Sequence, residues 1–267
     1  MIGLFLGDTD FSEIVLKKIK RLKKKYFIID FSKNNRFKKD KNSHRISIGK
    51  FGEIIKLIKE KKSKKVLFAG KIAKPKFSSL RLDLKGIYYM PSVIRAAKIG
   101  DAAIIKAIIK ILANEGIKVI SSIFFNPELS LKKGNFSKIK PNKQDNLSIK
   151  NSQIYFNKIN NLDHIQALVV KDGKIIAKEG REGTKKMLSK LKINSNGILI
   201  KLPKKKQDLR MDLPTIGLQT LKDIKKHGLK GVVLKSKKNI FLDKTKCINF
   251  ANKNKIFIKV IWRKYLF

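Results

Sequence analysis

Apolar positions along the first half of the chain alternate between two spacings. Ile2–Leu6 is a short apolar run ending at Gly7, and beyond it Phe11, Ile14, Val15, Ile19 and Leu22 recur at helical spacing opposite a lysine-rich face. The same alternation predicts strands over Tyr26–Phe31 and Lys65–Ala69 and a helix over Phe51–Lys62. After a long loop it predicts a helix over Asp101–Asn114, through Ile104, Ile105, Ile108, Ile109 and Leu112, and then a strand over Ile117–Phe125. Strands that alternate with helices predict an α/β fold, here an N-terminal Rossmann-like domain over residues 1–130 with a mostly parallel sheet.

Between Asn126 and Ser148 the periodicity lapses into Pro, Gly, Lys, Asn and Ser, which reads as a linker over 131–147. Residues 148–267 resume with two strands around Asp172-Gly173, a hairpin signal. A helix near Lys185–Leu191, a strand over Gly197–Leu202 and a helix over Leu218–His227 follow. Strands near Val232–Lys235 and Ile240–Leu242, a helix near Lys244–Asn252 and a strand over Ile256–Ile261 complete a C-terminal α/β domain with a mixed sheet.

The 267 residues are 42% hydrophobic, enough to build a core in one large or two small domains, which excludes disorder for most of the length. No uninterrupted apolar run reaches membrane-spanning length, and the start of the chain lacks signal-peptide features, so a cytoplasmic protein is expected. The single Cys247, with His44, His164 and His227 scattered, builds neither a disulfide nor a zinc site. Cys247 is expected as a small core residue and the histidines as surface or capping residues.

A formal charge of +44, from 64 Lys+Arg against 20 Asp+Glu, raises nucleic-acid binding as an alternative. The excess is almost all lysine, whereas base-edge and bidentate phosphate recognition favours arginine, and it is spread along the whole chain. It travels with abundant Asn, Ile and Phe, residues of A- or T-rich codons, so base composition accounts for it without a specific nucleic-acid partner. Lysines of this density suit the face of an anionic membrane.

Against this background a loop that gathers carboxylates stands out: Gln207, Asp208, Leu209, Arg210, Met211, Asp212, Leu213, Pro214, Thr215, Ile216, Gly217. Two carboxylates four residues apart can hold Mg²⁺, which takes one or two protein carboxylates and keeps several waters. Arg210 suits phosphate oxygens, and Thr215 with the following helix start offers donors to an anion. The plainer reading is a capped strand-to-helix loop in which Arg210 pairs with Asp208 and Asp212 caps. A second segment follows the strand at Lys65–Ala69. There Gly70 permits close backbone approach, and Lys71, Lys74, Ser78, Ser79 and Arg81 can neutralise a diphosphate, or simply form a solvated basic loop. Asp8 and Asp10, after the first strand, suggest a phosphatase in which they serve as nucleophile and acid/base.

Together the two segments resemble the metal-dependent UDP-2,3-diacylglucosamine pyrophosphatase family of lipid A biosynthesis, the type unrelated to calcineurin-like phosphoesterases. The resemblance runs through Phe68, Ala69, Gly70, Lys71, Pro75, Ser78, Ser79, Leu80, Arg81, Asp83, Leu84, Lys85 and Gly86, and through Gln207, Asp208, Arg210, Asp212, Leu213, Pro214, Thr215, Ile216 and Gly217. Gly100, Asp101, Ala103, Gln166, Glu182, Gly183 and Thr184 match as well, while Gly7–Asp10, Lys185 and Ile165 depart from the family pattern. The resemblance implies hydrolysis of UDP-2,3-diacylglucosamine to UMP and 2,3-diacylglucosamine 1-phosphate (lipid X), assisted by Mg²⁺ or another divalent cation such as Mn²⁺. It implies Asp208 and Asp212 in metal binding or water activation and Arg210 as charge stabiliser. Gly70, Lys71, Lys74, Ser78, Ser79, Arg81, Gln166, Thr184, Gln207 and Thr215 would contact substrate. Peripheral association with the inner membrane follows from the lipid substrate, and a homodimer is left open.

Overall fold

A computed structural model describes residues 1–159, 165–180, 182–203 and 208–262. These form two compact units, Met1–Pro127 together with Asp208–Asp212, and the remainder from Glu128 onward. The chain thus returns to its first unit for five residues late in the sequence.

The first unit runs β1 (Ile2–Leu6), α1 (Asp10–Arg21), β2 (Tyr26–Asp30), β3 (Ser43–His44), α2 (Phe51–Glu60), β4 (Lys65–Ala69), α3 (Leu84–Ile99), α4 (Asp101–Asn114) and β5 (Lys118–Ile120). Its five strands are all parallel, in the order β3-β2-β1-β4-β5. Central strands of such a sheet are covered on both faces, which is why β1 is apolar without alternation and buried along its full length. α1 buries Phe11, Val15 and Ile19 of the expected stripe and adds Leu16, while Ile14 is half-buried and Leu22, at the C-cap, is exposed.

Two stretches differ from expectation. The strand expected over Ile117–Phe125 stops at Ile120, because the Ser121 hydroxyl accepts from the Ile123 amide and turns the chain into a 3₁₀ turn over Ser122–Phe124. The loop expected between the fourth strand and Asp101 contains α3, begun by Asp83 accepting from the Gly86 amide at 2.7 Å. Pro91 lies inside this helix, and its apolar residues surround the axis, so the sequence shows no one-sided stripe.

The second unit comprises β6 (Gly134–Asn135), α5 (Lys143–Lys158), β7 (Ala167–Lys171), β8 (Lys174–Lys178), α6 (Thr184–Ser189), β9 (Ile198–Lys201), β10 (Thr215–Ile216), α7 (Leu218–Lys226), β11 (Gly231–Lys235), β12 (Ile240–Phe241), α8 (Lys244–Lys253) and β13 (Phe257–Ile261). Its sheet has the order β6-β13-β11-β9-β7-β8, with β13, β11 and β9 parallel and β6, β7 and β8 antiparallel to their neighbours, and β10 pairs separately with β12. The β7–β8 hairpin turns through Asp172 and Gly173, both at positive φ (47° and 78°), as a two-residue Asp-Gly turn requires.

Residues 131–147, expected as a linker, carry β6 and the opening of α5, and Leu131 is buried in the second core. A capping box joins Asn142 and Asp145 at the start of α5. The inward face of that helix is Ser148, Ile149, Ser152 and Phe156, which is why no apolar stripe marks it. Cys247 is buried on α8, where burial pushes its thiol up to about 11. His227 forms the C-cap of α7 and is buried; His164 lies outside the described residues.

Candidate functional site

In an open parallel sheet, ligands bind beyond the carboxyl ends of the strands where the chain first turns to the opposite side. Here that point lies between β1 and β4, and the residues just past both strands are joined there. The Asp8 amide donates to the Lys71 carbonyl at 2.8 Å and the Lys71 amide donates to the Asp8 carbonyl at 2.7 Å. Ser12 is fully buried, with its hydroxyl 2.8 Å from the carbonyls of both Gly7 and Ala69. The approach needs glycine on both sides. A Cβ on Gly7 would collide with the Lys71 carbonyl, and one on Gly70, at φ 81°, with Ser12 Oγ and the Asp8 carbonyl.

From this junction the segment Gly70–Arg81 runs outward. Lys71, Lys74, Ser78, Ser79 and Arg81 are all exposed. Lys74 pairs with Asp101, the first residue of α4, at 3.6 Å, and the Ser79 hydroxyl donates to the Lys76 carbonyl at 3.0 Å. The end of the matching motif is structural. Asp83 accepts from the amides of Gly86 at 2.7 Å and Glu53 at 2.9 Å, tying the starts of α3 and α2. Burial pushes its carboxyl up, but the amides of Gly52, Glu53 and Gly86 outweigh that and hold it below the usual range. Lys85 and Lys59 clasp Glu115, which also accepts from Tyr89 at 2.9 Å. Hydrogen bonding from Lys85, and then Lys59 and Tyr89, against the opposing cost of burial, lowers Glu115 to about 2.

The turn Asp208–Asp212 belongs to this same unit. The Ser121 hydroxyl, just past β5, donates to the Leu209 carbonyl at 3.3 Å, and Met211 packs against the first core. The Asp212 amide donates to the Asp208 carbonyl at 3.0 Å, closing a single tight turn between the two aspartates. Arg210 pairs with Asp208 in a bidentate fork, Nε to Oδ1 at 2.9 Å and Nη2 to Oδ2 at 2.6 Å. Those hydrogen bonds, against burial and with help from the Arg210 amide, keep Asp208 below the usual carboxylate range; Lys106 on α4 adds to this. Arg210 therefore pairs with Asp208 as the plainer reading expected, whereas α7 has no side-chain cap, so Asp212 does not cap it.

Two carboxylates on one tight turn suit a hard divalent cation that takes its other ligands from water and phosphate. Among the described residues no group of three or more His, Cys, Asp and Glu side chains is arranged to hold a metal ion.

The remaining expected residues lie in the second unit. The Thr184 hydroxyl donates to Glu179 Oε1 at 2.5 Å, and the Gln166 amide donates to Glu179 Oε2 at 2.7 Å, so the buried Glu179 joins the two. Glu179 is not among the residues the sequence points to, where the nearby acidic residue is Glu182 of the Glu182-Gly183-Thr184 triplet; Glu182 is exposed and pairs with Lys190. The available signal was register: Glu179 follows Ile175 and Ala177 on the inward side of β8. Thr215 opens β10, and its hydroxyl donates to the Leu213 carbonyl just before the strand at 3.1 Å. Gln207 lies outside the described residues.

A parallel sheet in this order, with glycines at the crossing point and a cationic loop beyond it, defines a Rossmann-like α/β unit. Comparison with known proteins narrows the class. Residues 1–129 match the LpxI N-terminal domain and residues 132–259 the LpxI C-terminal domain. The chain is similar to the UDP-2,3-diacylglucosamine pyrophosphatase LpxI of Caulobacter vibrioides, 31% identical over 223 residues, which is 80% of each chain. It belongs to the LpxI family.

Proposed function

We propose that this chain is a UDP-2,3-diacylglucosamine pyrophosphatase of lipid A biosynthesis, releasing UMP and 2,3-diacylglucosamine 1-phosphate (lipid X). Membership of the LpxI family along both halves of the chain carries this reading. The chemistry is one addition and one cleavage: water adds to a phosphorus and the bridging P–O bond breaks. A diphosphate resists this because its oxygens repel an incoming oxygen nucleophile, so cationic groups around it lower the barrier.

In this reading Lys71, Lys74, Ser78, Ser79 and Arg81 hold phosphates or glucosamine, with Gly70 letting the ligand approach the backbone. Asp208 and Asp212 would hold a divalent cation, Mg²⁺ or Mn²⁺, which when bound neutralises diphosphate charge. Arg210 keeps Asp208 ionised and oriented and adds positive charge beside the phosphates. Gln166, Thr184, Gln207 and Thr215 complete the substrate contacts. A lipid substrate draws the protein to the cytoplasmic face of the inner membrane, as a peripheral protein; no described helix is long and apolar enough to cross a membrane.

The test is UMP release from the acylated sugar nucleotide. It is expected with Mg²⁺ or Mn²⁺ and lost with a chelator, and absence of release with metal present overturns the proposal. Asp8→Asn is expected to keep activity, because Asp8 accepts from the Lys33 amide at 3.0 Å and the exposed Asp10 pairs with Arg36 at 3.4 Å. Loss of turnover in Asp8→Asn would instead favour the phosphatase alternative.

A further inference from the structure

We propose that the outer face of α3 docks on an anionic lipid bilayer, which deepens, and rests on, the lipid-precursor reading above. The inner face of α3 is accounted for by Gly86, Met90, Val93 and Ala96, buried at three- and four-residue spacing. The opposite face should be polar in an ordinary surface helix. It is instead apolar and open: Leu84 is 87% exposed, Tyr88 77%, Ile99 72% and Ile87 59%.

A helix that is apolar all round is normally covered by something. The polar groups on that face indicate what. Arg95 and Lys98 are interspersed with the apolar residues, and no Asp or Glu occurs anywhere between Leu84 and Ile99. Apolar side chains with interspersed cations and an outward tyrosine match the boundary between headgroups and acyl chains, where the cations meet lipid phosphates and the apolar residues enter the hydrocarbon edge. A second copy is a poorer fit. Two-fold pairing through α3 would gather two sets of Arg95 and Lys98 in one interface with no Asp or Glu on either helix to offset them, in a chain already carrying +44.

The experiment measures sedimentation of the full chain with substrate-free vesicles of phosphatidylcholine and phosphatidylglycerol near physiological salt. UMP release from detergent-dispersed substrate is measured alongside. The combined variant Ile87→Ser, Tyr88→Ser, Ile99→Ser keeps every charge and is expected to lose about tenfold in vesicle partition while turning over dispersed substrate normally. Arg95→Gln with Lys98→Gln is expected to weaken binding to anionic vesicles and to leave the weaker binding to pure phosphatidylcholine unchanged. Partition of the serine variant equal to wild type overturns the proposal, since lysines elsewhere would then suffice. So does a wild-type dimer that the serine substitutions dissociate without altering vesicle binding, and so does a wild type that ignores anionic vesicles. A wild type that binds vesicles through α3 but releases no UMP would sink the enzymatic reading and leave the docking face standing.

Discussion

The motif segment Gly70–Gly86 and the turn Asp208–Asp212 share the first unit and divide its work differently. In the longer segment Gly70 and Gly86 let backbones meet, Asp83 joins two helix starts and Lys85 clasps Glu115, while Lys71, Lys74, Ser78, Ser79 and Arg81 are among the residues that extend from the fold. The turn is joined to the unit by the Ser121 hydroxyl, which donates to the Leu209 carbonyl, and by the packing of Met211, and α7, which follows it, takes no side-chain cap. A long recognisable motif can thus be mostly architecture, while the five-residue turn holds the groups to which the proposal above gives the chemistry.

Mutation separates the two. The largest expected effect is in the turn: Asp208→Ala or Asp212→Ala should lower kcat for UMP release by about a thousandfold, some 4 kcal/mol, with little change in the urea midpoint. A variant that unfolds instead of losing turnover would erase the contrast. Gly70→Ala should do the reverse and cost about 3 kcal/mol of stability by urea unfolding, because it adds left-handed strain to a collision with Ser12 and Asp8.

Glu115→Gln comes next, at about 2 kcal/mol near neutral pH, allowing for half-exposed lysine partners. The carboxyl titrates lower in the folded chain than in the unfolded one. Its contribution is therefore complete above pH 4.5 and disappears as pH falls toward about 2, so acid should narrow the gap between wild type and variant. Asp83→Ala should cost 1 to 2 kcal/mol at roughly constant kcat, as loss of a shared helix cap. Arg210→Gln should move the acid limb of the pH–rate profile to higher pH, because Asp208 loses the partner that keeps it ionised. An unmoved limb would assign that limb to another group.

Much of this was legible in the sequence where one spacing dominated. β1, α1, β4, α4 and the Asp172-Gly173 hairpin were, since each buries one clear set of apolar positions or uses a turn only a few residues allow. α3 and α5 were not: one is apolar on both sides and contains Pro91, the other presents serines inward. The two site segments were readable as residue types at fixed spacing. The Arg210–Asp208 fork was only one of two readings, and the joining of Gln166 to Thr184 through Glu179 depends on strand register, which motif matching ignores.

The first unit is assembled from two pieces of sequence separated by some eighty residues. A gene split after the N-terminal family domain would produce a polypeptide missing its own aspartate turn, and the other fragment would carry that turn without the sheet it packs on. The halves are consequently not interchangeable cassettes: a recombinant that swaps one half between relatives must also match the short returning loop to the sheet of the other parent.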